Sequence, residues 1–173
     1  NGAVPTTAPE YVVFEGPGMD AFAESPEWGC TFVVLPFMYY ETYGDDSLIR
    51  KYYNGMRRYI DYMTTRANDG IVSFGLGDWY DYGDFRAGFS RNTPVPLVAT
   101  AHYYMVVRYL VEAARMLDNR YDVAYYTHLG EEINKAFHRE FYHKDTRQYG
   151  TGSQCSNALP LFLGMVPADD RQA

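Results

Sequence analysis

Residues 97–117, LVATAHYYMVVRYLVEAARML, are followed after Asp118-Asn119-Arg120 by a second long periodic run, YDVAYYTHLGEEINKAFHREFYH, residues 121–143. In the first, Val98, His102, Met105, Tyr109, Ala113 and Leu117 recur at helical spacing. In the second, Tyr125, Leu129, Ile133, Ala136, Phe137 and Phe141 do the same. The spacing predicts helices over about 97–117 and 122–143. The connection between them is too short for a crossover, so the two should lie antiparallel as neighbours.

Working outward, the same pattern continues. A helix is expected over about 26–43, where Ser25 can cap, Pro26 suits the first turn and Glu27 sits near the positive end of the helix dipole. Phe32, Leu35, Tyr39 and Tyr43 form its apolar side, and Pro36 should kink or split it. Another is expected over about 46–66, with Leu48, Tyr52, Met56, Tyr59, Ile60 and Met63 as its stripe. A fifth starts near Ser156 and carries Leu159, Leu161, Phe162 and Leu163; Pro167-Ala168-Asp169-Asp170 resembles the start of a sixth. Tyr11–Phe14 and Ile71–Phe74 read as short extended pieces. The fold class is therefore all-α, with long and short connections alternating. Helical hairpins arranged around an axis fit this spacing, and so does an ordinary bundle. No repeat of the tetratricopeptide or HEAT kind is visible. The organisation expected is an opening loop (1–25), a helical hairpin (26–66), a long loop (67–96), a second hairpin (97–143), and a loop leading into a third (144–173).

Composition excludes several classes. The chain has 173 residues, 47% hydrophobic, enough for one domain with a core. Its net charge of -7 and the lack of a basic stripe argue against nucleic acid; Lys51, Arg57 and Arg58 read as a solvated helix face. No apolar run reaches the roughly 18 residues of a membrane span, so no membrane partner is expected. The sequence starts at Asn1 without an initiator Met, and is expected to be a piece of a longer chain. Cys30 and Cys155 read as small buried residues rather than a disulfide or a metal pair, and no metal is expected. The four histidines lack HExxH spacing.

Aromatic content is high, 17%, with 18 Tyr and only 2 Trp. Rings offer rigid apolar area on which the C–H face of a sugar can stack. Helix packing also uses Tyr, so abundance alone does not choose. Three segments carry candidate chemistry. Gly75-Leu76-Gly77-Asp78-Trp79-Tyr80-Asp81-Tyr82-Gly83-Asp84 places carboxylates beside a tryptophan, a stacking surface next to hydroxyl acceptors; a buried plug in an Asp-rich turn is the plainer reading, and calcium-loop spacing is missing. Pro26-Glu27-Trp28-Gly29 puts the other tryptophan at a helix start. Gly150-Thr151-Gly152-Ser153-Gln154, leading to Asn157, offers amide donors in a tight loop, or plain turn and cap chemistry.

A resemblance rests on these residues taken in order: Gly2-Ala3-Val4-Pro5, Ala8-Pro9-Glu10-Tyr11, Pro26-Glu27-Trp28-Gly29, Ile71 through Trp79, Tyr149 through Gln154, and Asn157 through Leu161. Together they resemble family 78 of the glycoside hydrolases, the bacterial α-L-rhamnosidases. The resemblance implies an (α/α)6 six-hairpin barrel, of which this chain is an incomplete segment. It implies an inverting hydrolase acting on terminal α-L-rhamnose without a cofactor, and a rhamnose-containing carbohydrate as substrate. Trp28 and Trp79 match the tryptophans that line the family's rhamnose pocket; Asp78, Asp81 and Gln154 are added as substrate-binding candidates. The family's general acid belongs to an acidic motif upstream and its general base to a later loop. Neither catalytic carboxylate is expected within these residues, and the segment alone should not hydrolyse anything. Its partner is then the rest of its own catalytic domain, in a periplasmic or secreted enzyme. Alternatives are another six-hairpin glycosidase of the trehalase or glucoamylase kind, a non-catalytic carbohydrate-binding helical domain, and a purely structural helical module.

Overall fold

The computed structural model describes residues 2–171; Asn1, Gln172 and Ala173 of the expected 1–173 span lie outside the described residues. The all-α expectation holds. The chain order is α1 (Asp20–Ala23), α2 (Pro26–Gly29), α3 (Thr31–Tyr43), α4 (Ser47–Arg66), the antiparallel strands β1 (Asp81–Gly83) and β2 (Phe85–Gly88), α5 (Val95–Met116), α6 (Arg120–Phe141), a minimal pair β3 (Tyr142–His143) and β4 (Gln148–Tyr149), and α7 (Gln154–Phe162), followed by a 3₁₀ turn at Ala168–Asp170.

α5 is the hub, packing against α2, α3, α4, α6 and α7. Twelve of its residues are buried, from Leu97 round to Ala114, so no single stripe describes it. Val98 and Ala113 are buried as expected, whereas His102, Met105, Tyr109 and Leu117 are half-buried. Leu97 and Val98 at its start share a core cluster with Phe137 and Phe141 at the end of α6, which fixes the antiparallel hairpin. A second cluster joins α3, α4 and α5 through Val33, Phe37, Ile60, Met63, Val107 and Leu110.

A buried carboxylate ties the layers. Asn119 caps α6 by accepting from the Asp122 amide. The Asp122 carboxylate accepts from the Tyr53 hydroxyl at 2.6 Å and from Asn119 Nδ2 at 2.8 Å, with Arg57 Nε of α4 at 3.3 Å. An Asp that is 2% exposed is tolerable because its charge is met on several sides.

Several expectations need correction. The break in the first helix falls at Cys30, between α2 and α3, and α3 runs on through Pro36 without splitting. The buried face of α3 is Val33, Pro36 and Phe37; Leu35 and Tyr43 are exposed. That helix is apolar on nearly every side, so its sequence cannot say which side is covered. In α4, Ile49 and Tyr53 are buried in place of Leu48 and Tyr52. In α6, Tyr126 and Gly130 replace Tyr125 and Leu129. Neighbouring tyrosines hide the phase, because either can bury its ring and keep its hydroxyl paired. The long loop over 67–96 carries the β1–β2 pair, which the sequence did not point to. Ile71 makes one isolated bridge, with Asn68, and neither Tyr11–Phe14 nor Ile71–Phe74 forms a strand. α1 lies inside what reads as opening loop.

Candidate functional site

The start of α2, the 71–93 connection, the start of α5 and the start of α7 meet at one end of the molecule. Their meeting is fixed by polar contacts between segments far apart in sequence. Ser25, fully buried, does not cap α2 with its hydroxyl. Its Oγ accepts from the Leu76 amide at 3.1 Å and donates to Glu27 Oε2. The Glu27 carboxylate also accepts from the Gly77 amide at 3.1 Å and the Leu76 amide at 3.4 Å. Glu27 therefore serves the long loop rather than a helix dipole, as a helix of four residues would lead one to expect. Two glycines make the approach possible. A Cβ on Gly75, at φ +124°, would fall 2.6 Å from Glu27 Oε2; one on Gly77, at φ +68°, would fall 2.8 Å from the Ser90 Cβ.

The aromatic groups gather on the same side. Phe22 of α1 makes edge contacts with Trp28 at 6.4 Å between centroids, with Trp79 at 5.1 Å and with Phe89 at 5.7 Å. Trp79 meets Tyr80 at 5.0 Å and Phe89 at 5.6 Å. The two tryptophans, 51 positions apart in sequence numbering (28 and 79), are thus joined through one ring. Trp28 is exposed and Trp79 half-buried. α1 is held by Glu24 just past its end, which receives hydrogen bonds from the Tyr62 hydroxyl and from Arg66 at 2.8 Å.

The acidic candidates separate by their partners. Asp81 is buried and accepts from the amides of Tyr82, Arg91 and Asn92 and from Asn92 Nδ2, at 2.6–2.9 Å. The Asn92 and Arg91 amides hold its carboxyl below the usual carboxylate range. Its lone pairs are occupied in closing the β1–β2 hairpin onto residues 91–92, so it shapes the loop. Asp78 is half-buried, and its Oδ2 accepts from the Thr93 hydroxyl at 3.2 Å. Thr93 shares a 2.7 Å hydrogen bond with Ser153, whose Oγ in turn reaches Ser156 at 2.8 Å. Thr151 donates to the Asn92 carbonyl. The 150–157 segment thereby joins the Asp78 loop. Gln154 begins α7 next to Ser153 and is exposed.

Neither cysteine forms a disulfide. Burial, then the nearby Glu27 charge, pushes the Cys30 thiol up to about 11. Burial, then Asp78, pushes the half-buried Cys155 thiol up to about 11. Both stay protonated at neutral pH, which suits packing rather than nucleophilic work.

All three segments singled out from sequence come together. Sequence reading missed Phe22, which lies in a stretch with no periodic signal, and the loop-holding roles of Ser25 and Glu27. The glycines at 75 and 77 were the available clue to a close approach.

Known proteins resemble this chain in sequence and fold. A curated alpha-L-rhamnosidase of Formosa agariphila is 28% identical over 153 residues, 83% of this chain and 16% of its own length. The solved alpha-L-rhamnosidase of Dictyoglumus thermophilum superposes with a TM-score of 0.85 at 27% identity, covering 99% of this chain and 19% of that one. The Streptomyces avermitilis alpha-L-rhamnosidase, solved with L-rhamnose, gives a TM-score of 0.73 at 25% identity over 84% of this chain and 13% of that one. The chain thus spans less than a fifth of each of these relatives. No helix among the described residues is long and apolar enough to cross a membrane. The profile of the bacterial alpha-L-rhamnosidase six-hairpin glycosidase domain matches residues 1–173, and the chain belongs to that family.

Proposed function

We propose that this chain supplies the sugar-binding wall of an inverting α-L-rhamnosidase that removes terminal α-L-rhamnose, the general acid and base coming from other parts of a longer protein. The observation that carries this reading is the joining of Trp28 and Trp79 through Phe22, with Asp78 beside them. The rings offer an apolar stacking surface and Asp78 an acceptor for a hydroxyl. Asp81 acts by holding the loop, and Gln154 is an exposed amide at the same end. Inversion needs two carboxyl groups roughly 6.5–9.5 Å apart with a water between. Asp81 is committed to backbone amides, so Asp78 and Asp81 do not make that pair. Terminal rhamnose on plant or pectic glycans lies outside the cell, which favours a periplasmic or secreted enzyme.

The test uses the full-length protein on aryl α-L-rhamnoside and aryl α-D-glucoside side by side. Release from the rhamnoside alone is expected. Trp79→Ala should then lower kcat/KM by about 10- to 100-fold, the equivalent of roughly 1–3 kcal/mol of lost stacking and burial. Release from the glucoside alone would move the enzyme to a sister six-hairpin class, and an unchanged kcat/KM would remove Trp79 from the site. The 173-residue chain alone should release neither product.

A further inference from the structure

We propose that Glu27 is a positioning residue for the sugar site, its carboxylate and the Ser25 hydroxyl together locking the backbone that carries Asp78 and Trp79. The proposal rests on the rhamnose-site reading and adds to it a residue that touches no sugar.

Glu27 lies in the single turn of α2, and its oxygens turn across to the long loop instead of toward solvent. They accept from Gly77 N at 3.1 Å and Leu76 N at 3.4 Å, while Ser25 Oγ donates to one of them and itself accepts from Leu76 N at 3.1 Å. Gly77 immediately precedes Asp78 and Trp79, so fixing its amide leaves few free torsions between the lock and the two pocket groups. Charge-assisted bonds of a carboxylate to backbone amides are stronger than neutral ones. They are the right kind for holding a loop whose own ladder, β1–β2, begins only at Asp81.

The fit is reciprocal. A side chain at Gly75 would meet Glu27 Oε2 at 2.6 Å and Pro26 Cδ at 2.7 Å, so the loop comes this close only because residue 75 has no Cβ. Glu27 is also the neighbour of Trp28. One dipeptide therefore presents one tryptophan and anchors the loop that presents the other, which couples the two stacking surfaces to a single element. The commitment of the Glu27 oxygens to amide and hydroxyl donors separates this role from acid–base catalysis.

The experiment compares Glu27→Gln, Glu27→Ala and Ser25→Ala in the full-length enzyme, with aryl α-L-rhamnoside as substrate. Misplacing a positioned group by about 1 Å costs on the order of 100-fold. KM should rise by up to about that factor in Glu27→Ala and less in Glu27→Gln, which keeps one accepting oxygen. The pH profile of kcat should keep its shape. Amide hydrogen exchange should accelerate at Leu76 and Gly77 while core amides stay protected. If Glu27→Ala does not fold, the isosteric Glu27→Gln carries the same readouts. Wild-type KM in folded Glu27→Gln and Ser25→Ala would overturn the proposal, as would a displaced limb of the pH profile, which would make Glu27 an acid or base. A wild-type enzyme inert toward every rhamnoside would overturn the rhamnose reading itself and the proposal with it.

Discussion

Asp78 and Asp81 are three positions apart on one loop, and their surroundings assign them different work. Asp81 has every strong donor it can use: three backbone amides and one side-chain amide. Asp78 receives the Thr93 hydroxyl and lies beside the Cys155 thiol, with acceptor capacity to spare for a ligand. The distinction has a pH signature. Hydrogen bonds from Asn92 and Arg91 lower the Asp81 value from its ordinary 3.8, so the folded state binds its proton less readily than the unfolded one. The stabilisation is complete above that ordinary value and is lost as pH falls through the lower, folded value. Amide resonances of Arg91 and Asn92 should therefore titrate below pH 3.8, and Asp81→Asn should abolish the transition. A midpoint at or above 3.8 would mean that the carboxylate is not held as described.

At the scale of elements, α3 shows how a helix can be found without being oriented. Its apolar residues run round the axis, and only contact with α4 and α5 selects Val33, Pro36 and Phe37 as the buried face. Leu35 and Met38 are each 55% exposed. Phe37→Ala should cost about 3–5 kcal/mol of stability, whereas Leu35→Gln and Met38→Gln should each stay within about 0.5 kcal/mol. Exposed apolar rows invite association, so the two Gln variants should also lower any self-association of the isolated chain. Denaturant unfolding and sedimentation would check both; a Leu35→Gln loss as large as that of Phe37→Ala would reverse the face assignment. The helices themselves were readable because periodicity accumulates over many residues, and their ends fell near Gly44, Arg66 and the Asp118–Arg120 hinge. What stayed illegible was short or long-range. α1 and β1–β2 span one turn or a few pairs, too little for a period to register. Tyr52-Tyr53 and Tyr125-Tyr126 offered two equivalent stripes, and the choice depended on the partner reached, Asp122 in the case of Tyr53. The two tryptophans stood out by type and by the short motifs around them, while Phe22 and Glu27 owe their contacts to the fold, as with Trp79 for Phe22 and Gly77 for Glu27.

Over the whole molecule, the tyrosines that pack the helices should also set its alkaline limit. Burial is the first cause in each case. It pushes Tyr103 and Tyr149 up to about 12, and together with the hydrogen bond to Glu24 does the same to Tyr62. Tyr59, buried in the core, and Tyr53, buried and bonded to Asp122, are raised further. These rings come from α4, α5 and β4, so their ionisation strains several packed interfaces at once. An unfolded chain gives up its tyrosine protons near pH 10. Between that value and the folded values the unfolded state binds fewer protons than the native one, so stability falls as pH rises. Below about pH 10 these groups should contribute no slope. Above it, unfolding should be steep, because several tyrosines ionise together once one interface opens. Ultraviolet absorbance would then show tyrosinate from the buried set appearing together with the loss of helical circular dichroism, and Tyr103→Phe and Tyr149→Phe should move the transition to higher pH. Complete ionisation of all 18 tyrosines by pH 12 with the helical signal intact would show that the rings are open to hydroxide in the native state, against the burial from which their shifts follow.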